Sequence, residues 1–193
     1  MNICIFGASS NTLAPVYYEA AEDLGRRIAR GGHTLVFGGG ERGLMGACAD
    51  GAAAEGGESI GVAPRFFDEP GVLRQDCTRF VFTGTMAERK SAMEELAEAF
   101  IVLPGGIGTF EEFFEVLTLK ALGRHDKPMT LLNTAGCYDS LLAMLKSSAK
   151  EGFTGEGVLD LFAVCRTPEE ALAYVLRAPQ GDSAARNVLN YAR

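Results

Sequence analysis

The sequence predicts an α/β fold: a Rossmann-like open parallel sheet of about seven strands, with helices on both faces, in a single domain. Three observations carry this expectation. Short apolar runs alternate along the chain with longer stretches of helical periodicity, as in a parallel sheet under covering helices. Glycine-rich loops follow three of the expected strands, where open parallel sheets bind their ligands. The chain has 193 residues and is 47% hydrophobic, enough for one full core.

The first strand is expected at Asn2–Phe6 and opens into Gly7-Ala8-Ser9-Ser10-Asn11. A helix over Pro15–Arg30 follows, its proline suited to a first helical position. The second strand, Thr34–Phe37, ends in Gly38-Gly39-Gly40 and leads to a helix over Gly43–Glu55. Strands at Ser59–Val62 and Arg79–Phe82 flank Pro64–Asp76, the longest irregular stretch and a candidate flap or interface. The helix Met86–Glu98 carries Met86, Met93, Leu96 and Ala97 on one apolar stripe. A fifth strand, Ala99–Leu103, runs into Pro104-Gly105-Gly106-Ile107-Gly108 and a helix over Thr109–Leu122. Phe110, Phe113, Phe114 and Leu117 mark the buried stripe of that helix. Strand Pro128–Leu132, helix Tyr138–Glu151, strand Leu161–Val164 and helix Pro168–Arg177 complete the order. The domain takes in residues 1–178, and residues 179–193 read as a polar C-terminal tail.

Net charge is −7 and no basic run occurs, which argues against a nucleic-acid partner. No apolar stretch approaches the roughly 20 residues of a membrane span, so no membrane partner is expected. The N-terminus enters a strand without a basic leader region. Five widely spaced cysteines form no C-x-x-C pair, and only His33 and His125 accompany them. No metal site is expected; reduced thiols in a cytoplasmic protein are. The loop after the first strand has one glycine, too few for a dinucleotide fingerprint. A Walker lysine and a G-x-S-x-G elbow are also missing, which disfavours NTP hydrolysis and acyl transfer through a triad.

The segment Leu103-Pro104-Gly105-Gly106-Ile107-Gly108-Thr109 has the layout of an anion cradle. Glycines let backbone N–H groups converge, and the helix that follows adds positive potential at its N-terminus. Phosphate is the expected anion. Glu112 stands close by, and a carboxylate facing a phosphate site implies chemistry. Its other reading is a capping box, with Thr109 as N-cap and Glu112 reaching back; Thr167-Pro168-Glu169-Glu170 has the same spacing and reads as purely structural. By helical position Glu112 and Glu115 are candidates for the crevice, while Glu111 points elsewhere. Arg89 lies on or beside the inward stripe of its helix, either snorkelling at the domain edge or aimed into the crevice at a carboxylate or phosphate. Lys90 reads as solvated. Ser9, Ser10 and Asn11 read as turn residues whose side chains could touch a ligand, and both histidines as turn or surface residues.

Pro104-Gly105-Gly106-Ile107-Gly108-Thr109 with Glu112 resembles the P-G-G-x-G-T-x-x-E motif of the Lonely Guy family, cytokinin riboside 5′-monophosphate phosphoribohydrolases long mislabelled lysine decarboxylases. Met86 with Arg89-Lys90 is similar to the family's M-x-x-R-K segment, and Gly38-Gly39-Gly40 with Gly43-Leu44-Met45-Gly46 to its G-G-G…G-L-M-G segment. The resemblance covers roughly residues 2–177. It implies cleavage of the N-glycosidic bond of a nucleoside 5′-monophosphate, giving free base and ribose 5-phosphate, with no cofactor. It further implies that Arg89 and Glu112 are catalytic, and that Gly105, Gly106, Gly108 and Thr109 hold the 5′-phosphate. Ser9, Gly38, Gly39, Met86 and Lys90 would join Arg89 and Glu112 in binding the substrate. A homodimer is implied as well. The chain departs from the family in having no tryptophan, in reading Gly61-Val62-Ala63-Pro64 for G-V-I-P, and along Arg65–Asp76, which matches no family segment. The alternative is a non-catalytic binder of a phosphate ligand, such as a molybdenum-cofactor carrier or a nucleotide sensor.

Overall fold

A computed structural model describes residues 1–178; the expected tail at 179–193 lies outside the described residues. Seven parallel strands form one sheet in the order β4-β3-β2-β1-β5-β6-β7. They are β1 (Asn2–Phe6), β2 (Thr34–Phe37), β3 (Ser59–Pro64), β4 (Arg79–Thr83), β5 (Ala99–Val102), β6 (Met129–Leu132) and β7 (Ala163–Cys165). Among the described residues six α-helices accompany them: α1 (Pro15–Arg30), α2 (Gly43–Ala54), α3 (Met86–Leu96), α4 (Ile107–Ala121) and α5 (Asp139–Lys150) connect strands, and α6 (Pro168–Arg177) follows β7.

The central strands are buried on both sides, which is why they read as continuous apolar runs rather than alternating ones. One face carries α1, α2 and α6 over a cluster built on Ile3, Ile5, Leu35, Phe37 and Ile101. The other carries α3, α4 and α5 over Cys4, Phe6, Val36, Phe100 and Val102. Alternate residues of each strand therefore feed opposite cores. The strand order reverses at β1, which pairs with β2 on one side and β5 on the other. Crossovers leave in opposite directions there and open a crevice beyond the carboxyl ends of the strands.

Two expectations are corrected here. The helix after β5 begins at Ile107, with Gly106 as N-cap, not at Thr109. The capping box proposed for Thr109 and Glu112 therefore does not form; Thr109 sits inside the first turn, and Glu112 has a different partner. His125 is half-buried rather than superficial: its Nε2 lies 2.8 Å from the Val116 carbonyl oxygen, and its ring packs on Phe100. Thr167 does cap α6, its hydroxyl accepting from Glu170 N at 3.2 Å.

Candidate active site

The three glycine-rich loops meet at a cavity of about 720 Å³. Gly7 to Ser10 enter it from β1, Gly38 and Gly40 from β2, and Gly106 to Thr109 from the start of α4. Hydrogen bonds lock these loops to one another. Ala8 N donates to Pro104 O at 3.0 Å, and Leu44 N to Ala8 O at 2.8 Å. Asn11 Oδ1 accepts from Gly43 N at 2.9 Å, satisfying a donor at the start of α2 that no side chain of its own N-cap reaches. Asn11 thus acts as a strut between two loops.

α4 has no such help. No side chain caps Gly106, so the first-turn N–H groups have no partner within the helix. Gly106, Ile107, Gly108 and Thr109 all line the cavity. A Cβ built on Gly106 or Gly108 would meet nothing within 4 Å. The protein's own packing gives no reason for glycine at these two positions, and bare backbone there leaves room for a ligand to approach closely. Backbone donors and the helix dipole make this turn chemically suited to an anion.

Arg89 and Glu112 form the floor. Each is 8% exposed. Arg89 Nη1 donates to Glu112 Oε1 at 2.8 Å, and Arg89 Nε donates to Val62 O at 3.2 Å. The arginine is thereby fixed between the end of β3 and the face of α4. α3 brings Arg89 there, and a true capping box starts that helix: Thr85 Oγ1 accepts from Glu88 N at 3.1 Å, and Glu88 Oε2 accepts from Thr85 N at 3.3 Å. Burial pushes the Glu112 carboxyl above the usual carboxylate range; the charge and hydrogen bond of Arg89 oppose this without cancelling it.

The structure brings Ser9, Gly38, Met86, Arg89, Gly106, Gly108, Thr109 and Glu112 to the cavity wall. It places Gly39, Gly105 and Lys90 behind or beside it. Gly39 is packed under the Phe80 ring, and Gly105 against the Thr109 side chain. Lys90 is not solvated as expected: its ammonium pairs with Glu111 and, at 2.8 Å, with Glu115 on α4. That pairing also takes Glu115 away from the crevice.

Sequence reasoning missed Arg42 and Met45 at the start of α2, and Phe67, Val72 and Leu73 from the segment after β3. Met45 could have been found, since it stands inside a glycine-rich motif. The segment residues gave no periodic signal, because their order comes from an isolated antiparallel bridge between Gly40 and Leu73. With these residues the cavity joins a polar end, of backbone donors and the ion pair, to an apolar wall. It suits a ligand with a phosphate at one end and a flat or greasy group at the other.

The family profile described as "Possible lysine decarboxylase" matches residues 45–175. A cytokinin riboside 5′-monophosphate phosphoribohydrolase from Rhodococcoides fascians is 43% identical over 164 residues, covering 84% of this chain and 82% of that protein. One of the same name from Mycobacterium tuberculosis is 38% identical over 170 residues, covering 88% and 90%. Among solved structures, a molybdenum cofactor carrier protein from Chlamydomonas reinhardtii is similar with a TM-score of 0.69 at 24% identity, covering 91% of this chain and 96% of that one. At that identity the likeness speaks for the fold alone.

Proposed function

We infer the reaction from a premise of kinship: this chain belongs to the Lonely Guy family, which the "Possible lysine decarboxylase" description covers. It is a phosphoribohydrolase. It hydrolyses the N-glycosidic bond of a cytokinin riboside 5′-monophosphate and releases the free base and ribose 5-phosphate. The observation that carries the reading to this chain's own residues is the buried Arg89–Glu112 pair at the floor of a cavity whose rim is an uncapped helix N-terminus.

The chemistry follows from that placement. The 5′-phosphate takes the free N–H groups of Gly106 to Thr109, which leaves the ribose over Glu112. As the C1′–N bond lengthens, its electron pair leaves with the base and positive charge gathers on the sugar. The Glu112 carboxylate stabilises that charge and accepts a proton from the water that adds to C1′. The departing base takes up a proton from solvent, and Glu112 later returns the water's proton to solvent, so that one water is consumed overall. Arg89 holds Glu112 in place through Nη1 and offsets part of the cost that burial imposes on its ionised form. A pair held in this way serves a reaction more readily than mere storage of a ligand. The carrier reading has no comparable observation in its favour.

The protein is also proposed to be a cytoplasmic homodimer. Its five cysteines are free, as expected in a reducing compartment, and none of its helices among the described residues is long and apolar enough to cross a membrane. α3, with the exposed Met86 at its start, is the proposed two-fold contact. A monomeric mass in solution at micromolar concentration would count against it.

The test of the reaction is chromatography of AMP and isopentenyladenosine monophosphate after incubation with purified protein, beside the Glu112→Gln variant. Release of free base and ribose 5-phosphate by the wild type, and a loss of about a thousandfold in the variant, is the expected result. Binding of AMP without release by either protein would sink the hydrolase reading.

A further inference from the structure

The segment between β3 and β4 forms the apolar wall of the cavity, yet few bonds hold it. Phe67 and Val72 are half-exposed, and most hydrogen bonds of the stretch are local: Asp68 N to Arg65 O, Glu69 N to Phe67 O, Val72 N to Glu69 O. Its ties to the rest of the molecule concentrate at one end. Glu41 N donates to Val72 O at 3.0 Å and Arg74 N to Gly39 O at 2.9 Å, on either side of the Gly40–Leu73 bridge.

The third tie is the Arg74 side chain. Its Nε and Nη2 grip both oxygens of Asp76 at 2.7 Å, and its Nη1 reaches Asp50 Oδ1 and the Gly46 carbonyl oxygen on α2. The side chain is only 11% exposed. A planar guanidinium is suited to this task because it donates in two directions from a rigid fork. Arg74 does not line the cavity, whereas Gly71, Val72 and Leu73, its immediate neighbours, do.

We propose that Arg74 is a positioning residue: it pins the Gly71–Leu73 wall to α2 and so sets the fit of the cavity around the base of the substrate. This rests on the phosphoribohydrolase reading, in which the phosphate occupies the start of α4 and the ribose lies over Glu112, leaving the apolar wall for the base. The reacting pair hangs on other supports, Val62 O and α4. Loosening the wall therefore weakens the grip on the base and spares the bond-breaking step.

The experiment compares wild type with Arg74→Ala in steady-state hydrolysis of AMP and isopentenyladenosine monophosphate, and in inhibition by ribose 5-phosphate, which has no base. KM should rise on the order of tenfold, the scale of discrimination that an apolar pocket contact carries. The value of kcat should stay within about twofold, because the group that contacts the transition state is untouched. The inhibition constant of ribose 5-phosphate should not move. A parallel fall in kcat and in ribose 5-phosphate affinity would overturn the proposal, as would unchanged constants throughout. Should Arg74→Ala fail to fold, Asp76→Asn, which keeps the shape and removes the charge, is expected to give the same pattern in weaker form. Should the wild type turn nothing over, calorimetry of AMP and of ribose 5-phosphate decides instead: only AMP binding should weaken in the variant. The failure of the hydrolase reading and that of the Arg74 proposal are thereby distinguished.

Discussion

A Cβ built on Gly38 would stand 2.2 Å from Nη2 of Arg89. The glycine at the end of β2 is the space that the guanidinium occupies, and the contact is with the charged end of a side chain already fixed to Val62 O and Glu112. Gly38→Ala should therefore push Arg89 off its partners. A loss of about 1–3 kcal/mol of stability is expected from overpacking, together with a fall in kcat/KM well beyond what that loss explains. Thermal unfolding and initial rates on the same preparation check both. Full activity with a lowered Tm would show that Arg89 tolerates displacement.

Gly108→Ala makes the opposite pairing of effects. Nothing lies within 4 Å of the added methyl, and alanine is favoured over glycine inside a helix by about 1 kcal/mol. Stability should hold or rise while affinity for ribose 5-phosphate drops, because the methyl intrudes where the phosphate approaches the backbone. Calorimetric titration of both proteins is the measurement. Unchanged affinity would move the phosphate away from this turn.

The pH profile carries the signature of Glu112. Its carboxyl is held above the ordinary range by burial, and it must be ionised to act as the base. The rate kcat/KM should fall on the acid side with an inflection above that of a solvent-exposed glutamate, and Glu112→Gln should lack that limb. The stability sign is the reverse. A carboxyl raised in the folded state favours folding while it is protonated, and that contribution fades as pH rises through its folded value. An acid limb at the ordinary carboxylate position would contradict the role of burial.

Thr85→Ala removes the hydroxyl that caps α3 one turn before Arg89. The expected cost is about 1 kcal/mol of stability, with a smaller loss of kcat/KM than Gly38→Ala produces. Denaturant unfolding beside kinetics tests it. A null effect on both would mean that Glu88, which also accepts from Gly84 N at 2.7 Å, holds the turn unaided.

The contrast between Thr85 and Thr109 explains what could be read from the sequence. Both stand three residues before a glutamate, and the pattern is identical locally. At Thr85 the box forms; at Thr109 the chain has already begun to coil at Ile107, and Glu112 turns to an arginine that is 23 residues away in sequence. Strand and helix positions were legible because they follow from local apolar periodicity; α1 and α6 match residue for residue. Arg89 was legible as inward-facing, but its partner was one of several acids on α4. Lys90 and Glu115 were misjudged for the same reason, since their pairing is a contact between helices. The stretch Pro64–Asp76 was legible as irregular and as a candidate flap or interface, but not that its Phe67 and Gly71 to Leu73 line the cavity: an isolated bridge and a multiply bonded arginine leave no repeating pattern in a linear sequence.

The bare first turn of α4 has a consequence for anyone who would make this protein more robust. A serine or aspartate in place of Gly106, the N-cap, would take up one of the unpartnered amides and strengthen the fold by roughly a few tenths of a kcal/mol. On the proposed reading the new side chain would then compete with the incoming phosphate for the same N–H groups. The protein would become its own competitive inhibitor, slightly sturdier and idle; on that reading, a helix start left without a side-chain cap trades a little stability for recognition of a phosphorylated nucleoside.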